Sequence, residues 1–199
     1  MIKDISKYIP TNSIDLVAQI LINNPISIKI VNKRATKHGD FKVFRNGKTQ
    51  ITINNNLNKY QFLLTLIHEI AHFETFQKNR RAKPHGIEWK RNFQHLMLPF
   101  LQPTIFPNSL LPYLANYLKN PKASTGSDVK LSRELLRFNE TSTKNFLFDL
   151  QTGELFNFKN KTYKLGQKRR TRFECLEIKS KKLYLFNQNA EIDIIKNEI

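Results

Sequence analysis

The sequence predicts an α+β fold in which a small sheet packs on a buried helix and a small β-rich C-terminal unit follows. Three observations carry this. Short alternating stretches, "ISIKIV" and "DFKVFRNGKTQITIN", precede residue 55. The stretch "YQFLLTLIHEIAHFETF" is apolar on almost every side, as a helix buried all round must be. From Lys144 onward the chain turns to brief alternating segments broken by turn residues.

Taken in order, Thr11 to Asn23 reads as a helix, with Ile14, Val17, Ala18 and Leu21 at helical spacing and Pro10 at its entry. Pro25 stops it. Ile26 to Val31 alternates as a strand, and Asp40–Phe44 and Gln50–Asn54 flank an Asn46-Gly47 turn as a hairpin. The long apolar helix starts at Asn58, where Asn58 with Gln61 resembles a capping box. After the basic loop "QKNRRAKPHG", a second helix runs from Ile87 toward Leu98 and ends at Pro99; a third covers Ser109 to Leu118. "KNPKASTGSD", rich in turn formers, marks a boundary, and "VKLSRELLRFNE" reads as a short helix beyond it. These readings divide the chain into residues 1–120, a linker with a short helix over 121–143, and a β-rich unit over 144–199.

Composition narrows the setting. The 199 residues suffice for one ample domain plus an appendage. No signal peptide is read at the N-terminus, and no apolar run approaches the ~20 residues of a spanning helix. A single cysteine, Cys175, excludes an internal disulfide, so a cytoplasmic, reducing setting is expected. The net charge is +17, with 17 Lys+Arg against 6 Asp+Glu in residues 1–120 and 16 against 10 in the rest. So spread an excess attracts polyanions, nucleic acid above all; a merely solvated, lysine-rich surface is the plainer alternative.

The buried helix contains H-E-I-A-H. Residues four apart share a helix face, so His68 and His72 can direct imidazole nitrogens at one ion. Glu69 lies about 100° around the helix, where it cannot easily ligate that ion but can reach a water bound to it. This is the geometry of zinc-assisted hydrolysis, with the carboxylate as general base. The alternative is a pair of core histidines satisfied by hydrogen bonds. A catalytic zinc needs three protein ligands and one open position. Metzincin spacing is excluded, because Thr75 and Lys78 occupy the positions of its glycine and third histidine. Two candidates remain. Glu88 would serve as a glutamate from the following helix, and His85 in "KPHGIEW" has ample chain to turn back and a glycine after it. His85 is favoured.

"LNKYQFLLTLIHEIAHFETF" followed by "PHGIEWKRNF" resembles the SprT-like zinc metallopeptidases, the bacterial SprT group and its eukaryotic relative Spartan. The resemblance covers about Lys33 to Leu98. It implies a zincin-like domain, one catalytic Zn2+ on His68, His72 and His85, Glu69 as general base, and Trp89 packed beneath the loop bearing the third ligand. It departs in the tail, where SprT-type proteins often carry a zinc ribbon with two cysteine pairs. Here only Cys175 is present, read as a small buried residue, so the tail must be held by apolar side chains: Phe146, Phe148, Leu155, Phe156, Phe158, Phe173, Leu183, Leu185 and Phe186.

Two basic clusters are candidates for phosphate contacts: Arg80, Arg81 and Lys83 beside the proposed site, and Lys168, Arg169, Arg170 and Arg172 in an expected hairpin turn. Tyr163, Phe173 and Tyr184 are candidates for stacking on bases, with a place in the core as the alternative. The resulting expectation is a zinc-dependent endopeptidase acting on a protein substrate bound or crosslinked to DNA, with sequence-independent DNA contacts and no membrane. Its rivals are a non-catalytic nucleic-acid-binding protein with a structural or vestigial zinc site, and a zinc hydrolase of non-peptide substrates. Arg91 and His95 are weak candidates for stabilising an oxyanion.

Overall fold

A computed structural model describes residues 2–34, 36–124, 128–139, 145–170 and 172–195. It is α+β and divides into two compact units, 1–123 with 134–139 and 124–133 with 140–199. Residues 125–127 and 140–143 of the expected linker, the helix end at Glu140, Lys144 and Thr171 of the basic turn lie outside the described residues. Among those described, no helix is long and apolar enough to cross a membrane.

The first unit opens with a short helix α1 (Ile2–Ile5) and a 3-10 turn at Ser6–Tyr8. A second 3-10 turn, Thr11–Ser13, runs into α2 (Ile14–Asn23), so the helix expected from Thr11 begins one turn tighter. Three strands follow: β1 (Ser27–Val31), β2 (Gly39–Val43) and β3 (Thr49–Asn54). β2 and β3 form the expected hairpin, closed by a 2.8 Å bond from Phe44 N–H to Lys48 O, with Gly47 at φ 78°. β1 then joins the far side of β3 in parallel, from Ser27↔Gln50 to Val31↔Asn54. β3 is therefore central and β2 is an edge strand.

Helix α3 (Lys59–Lys78) is the spine of the unit. The Asn58 side chain accepts from the Gln61 N–H at 2.9 Å, and its Nδ2 donates to Leu135 O and Asn139 Oδ1 at 2.8 Å each. From Gln61 to Ala71 every residue is buried. One side of α3 meets β2 and β3 and another meets α4 (Ile87–Met97), so a helix apolar all round has a partner in each direction. Ile51, Ile53, Phe62, Leu63, Ile67, Ile70, Trp89 and Phe93 are fully buried between them. Pro99 falls in a 3-10 turn, Leu98–Phe100, beyond α4, and α5 (Leu111–Lys119) completes the expected helices. The boundary between the units falls within α6 (Val129–Leu136).

The second unit is a six-stranded antiparallel sheet of β4 (Asn145–Phe146), β5 (Leu155–Phe158), β6 (Lys161–Arg169), β7 (Arg172–Glu177), β8 (Leu183–Asn187) and β9 (Glu191–Ile194), in the order β4-β9-β5-β6-β7-β8. Its core is Leu147, Phe156, Tyr163, Leu165, Cys175 and Ile192, with Phe158, Phe173 and Phe186 packed on it. Three expectations are corrected by side-chain alternation and local bonding. Leu155, Leu183 and Leu185 share the opposite face with Lys164 and Glu174 and are exposed. Tyr163 is buried in the core and presents no ring for a base. Leu147–Asp149 is a 3-10 turn rather than strand, anchored by Phe146 N–H donating to Asp149 Oδ2 at 3.1 Å. Cys175 is buried, and burial pushes its thiol up to about 11, the state of a packing residue rather than a nucleophile.

Because Asn58 both caps α3 and ties two carbonyl groups, Asn58→Ala should cost more than a simple cap. A loss of about 1–2 kcal/mol, or roughly 2–8 °C in the thermal midpoint, is expected by calorimetry.

Candidate metal centre

Helical geometry places His68 and His72 one turn apart on α3, with their Nε2 atoms 3.2 Å from each other. His85 arrives from the connection between α3 and α4, its Nε2 at 2.9 Å from that of His72 and 3.2 Å from that of His68. The connection is built for this return. Asn79 ends α3 by donating its N–H to Thr75 O at 2.8 Å, and its side chain accepts from Arg81 N–H at 3.0 Å. Lys83 to Gly86 then form a tight turn, closed by Gly86 N–H to Lys83 O at 2.9 Å. Pro84 presets the first corner and His85 occupies the second in left-handed conformation, φ 57°. Gly86 is required here: a Cβ would stand 2.9 Å from the Lys83 carbonyl oxygen.

Three ring nitrogens facing one another are a poor hydrogen-bond arrangement and a good ligand set. Four-coordinate zinc with Zn–N of about 2.0–2.1 Å sets its nitrogens about 3.3–3.4 Å apart, close to the observed triangle. Burial, first, holds all three imidazoles below their ordinary pKa: His68 at about 2 and His72 at about 4, each also opposed by neighbouring rings, and His85 lowered by burial. The rings are therefore neutral near pH 7, the state in which imidazole binds a metal. His68, His72 and His85 can hold a metal ion. Three imidazoles suit zinc but do not by themselves select it over iron, nickel or copper.

Trp89, from the first turn of α4, is fully buried under the cluster. Its ring centroid lies 4.6 Å from His68, 5.2 Å from His72 and 4.7 Å from His85, and its other flank stacks on Phe93 at 5.1 Å. Its indole N–H points to the His68 carbonyl oxygen at 3.4 Å. Trp89 thus touches all three rings, beyond packing beneath the loop. Glu88 turns away: its Oε1 accepts from Asn79 Nδ2 at 2.9 Å on the exposed side of the loop. Arg91 and His95 are exposed on α4.

Glu69, buried on α3, lies with its carboxyl against the start of β2. A Cβ on Gly39 would lie 2.5 Å from Glu69 Oε1 and 2.6 Å from Thr65 Cγ2, so only glycine lets β2 come this close. Burial chiefly, and Asp40 next, push the carboxyl up to about 8, against the pull of Arg34, a hydrogen bond from Phe41 N–H, and Lys37. Sequence reasoning missed Gly39 and Arg34; the one trace was a glycine opening the strand in "HGDFKVF".

Residues 15–105 match the model of the SprT-like family. No curated protein and no solved structure matches the chain. The matched segment contains the whole nitrogen triangle, Glu69, Gly39 and Trp89. It also contains Arg80, Arg81 and Lys83, all exposed on the connection that carries His85; Arg80 lies over the Phe76 ring at 5.5 Å. Lys168, Arg169, Arg170 and Arg172 are exposed around the β6–β7 hairpin, outside that segment, with Arg169 paired to Glu174 at 3.0 Å.

The ionisable groups give the metal-free protein a defined pH profile. Histidines with depressed folded pKa values contribute stability that is present above their ordinary value of about 6.5 and lost as pH falls below it, because the unfolded chain takes up protons the folded one refuses. Glu69 has the opposite sign: its raised pKa contributes stability that is lost as pH rises through about 8. The thermal midpoint of chelator-treated protein should peak near neutrality and fall on both sides. A midpoint that rises toward pH 5 would contradict these assignments.

Proposed function

We propose that this protein is a zinc-dependent endopeptidase with a zincin-like catalytic domain, acting on proteins bound or crosslinked to DNA. The observation that carries the reading is a three-imidazole triangle on and beside a buried helix, with a buried carboxylate, Glu69, on the same helix and outside the ligand set. His68, His72 and His85 would hold the ion. When bound, zinc supplies Lewis-acid polarisation of a carbonyl and makes water acidic enough to attack near pH 7.

The chain's own groups supply the rest. Glu69 accepts the proton of the attacking water at a carboxylate oxygen and delivers it to the leaving amine nitrogen. Trp89 and Phe93 keep the inner side of the ligand rings dry and fix their orientation. Arg80, Arg81 and Lys83 are exposed to meet phosphates on the loop that brings in His85, and Lys168, Arg169, Arg170 and Arg172 form a second basic cluster. Contacts of that kind position a backbone without reading sequence. The net charge of +17 supports the same partner.

Glu69→Gln should keep about one zinc per chain and lose roughly 10²–10⁴-fold in cleavage of a DNA-bound protein. Equal cleavage by wild type and this variant would remove Glu69 from the chemistry; binding to DNA without any cleavage would favour a non-catalytic binding protein. Replacing Arg80, Arg81 and Lys83 by glutamine should weaken DNA binding for all sequences alike. Its salt slope should become shallower by about 0.9 for each duplex phosphate that is no longer neutralised, measured by fluorescence titration between about 50 and 200 mM salt.

A further inference from the structure

Arg34 lies outside the catalytic motif, on the connection between β1 and β2, and makes more side-chain bonds than an ordinary surface arginine. Its Nε donates to Asn54 Oδ1 at 2.8 Å and one terminal nitrogen to Thr52 Oγ1 at 2.9 Å. The other terminal nitrogen reaches Thr52 O at 3.3 Å and His38 O at 3.4 Å. Asn54, itself buried, uses its remaining groups on the same connection: Nδ2 donates to Lys37 O at 2.8 Å and its N–H to His38 O at 2.9 Å. The planar fork of the guanidinium and the amide thus fasten residues 37 and 38 to the last residues of β3.

Residues 37 and 38 feed directly into the contact with Glu69. His38 and Phe44 bond to β3 partners, so alternate residues between them, Asp40 and Lys42, also turn toward β3. The intervening Gly39, Phe41 and Val43 turn their N–H and C=O groups to the open edge of β2. On that edge the Phe41 N–H is directed toward Glu69, and Gly39 lies against the same carboxyl. The Phe41 ring holds the strand to α3 on Phe73 and Phe76, at 6.1 and 5.9 Å. A small shift where β2 begins would move both contacts at once.

We propose that Arg34, acting with Asn54, is a positioning residue that sets the open edge of β2 against Glu69 and so aims that carboxylate for proton transfer. This rests on the peptidase reading for what Glu69 does. It does not rest on that reading for where Glu69 is held. Arg34 is not among the three ligands; it acts on Glu69 through β2, besides the pull of its charge.

The test compares full-length wild type with Arg34→Met, Arg34→Lys and Gly39→Ala. Metal content, the thermal midpoint, kcat and KM on a DNA-bound protein, and the visible absorption of the Co2+-loaded proteins are measured. Arg34→Met should keep one metal per chain and a cooperative transition, with kcat lowered about tenfold to a hundredfold and KM changed little, the cost of misplacing a group by about an ångström. Arg34→Lys should recover only part of kcat, because an ammonium lacks the fork. Gly39→Ala should show the same kcat-selective loss by forcing β2 off Glu69. In the cobalt spectrum, Arg34→Met should shift the bands in the direction that Glu69→Gln does. Wild-type kcat in Arg34→Met, or loss of metal together with the thermal transition, overturns the proposal. If wild type does not cleave at all, the peptidase reading fails by itself; the cobalt bands then decide, and bands unchanged by Arg34→Met overturn the positioning role.

Discussion

Three imidazole nitrogens meet within 3.2 Å of one another in the first unit, and much of its architecture can be derived from that requirement. Two of them come from one helix, where the i and i+4 positions share a face and can aim at a single point. The helix must be enclosed, since rings kept neutral near pH 7 and a carboxyl raised to about 8 require low-dielectric surroundings. Enclosure explains why α3 is apolar on every side, with a sheet against one flank and α4 against another. The third nitrogen needs a chain reversal tight enough to hold His85 in left-handed conformation, and the Pro84–Gly86 turn supplies it.

The same geometry separates the two jobs that polar groups perform around the centre. Trp89 sits on the inner side of all three rings and makes the ligand set rigid and dry. Glu69 is turned a fraction of a helical turn away, where a glycine strand edge rather than a ring surrounds it. A carboxylate that joined the ligands would be locked as an anion beside a cation; one held by a strand edge stays available to gain and lose a proton. The division depends on β2 arriving at a fixed distance, and that distance is controlled from residues far from the motif in sequence.

Much of this was legible in the sequence. H-E-I-A-H on an apolar stretch announced the helix and two of the nitrogens, and Asn46-Gly47 announced the hairpin. The length of chain between His72 and His85, with Gly86 after it, allowed a return to the helix. Less legible was anything set by pairing between distant segments. The parallel union of β1 with β3 leaves no local pattern, so the edge position of β2, the Gly39 contact and the Arg34 fastening stayed hidden. In the second unit the composition showed strands but not their faces. A leucine at an alternating position reads as core, yet register places Leu155, Leu183 and Leu185 on the exposed side and Tyr163 inside. Leu147–Asp149 escaped because a single hydrogen bond from the Phe146 N–H to the Asp149 side chain overrides the β propensity of "NFLFDL".

The proposed centre is one zinc ion on three histidines, with Glu69 beside it and unligated. Crystals of the zinc-loaded protein, measured at the zinc absorption edge, test this most directly. A single anomalous peak about 2.0–2.1 Å from the Nε2 atoms of His68, His72 and His85, with the Glu69 carboxylate outside ligand distance, is the predicted result. A peak ligated by Glu88 or Glu69 in place of His85, or no peak at the triangle, would contradict it.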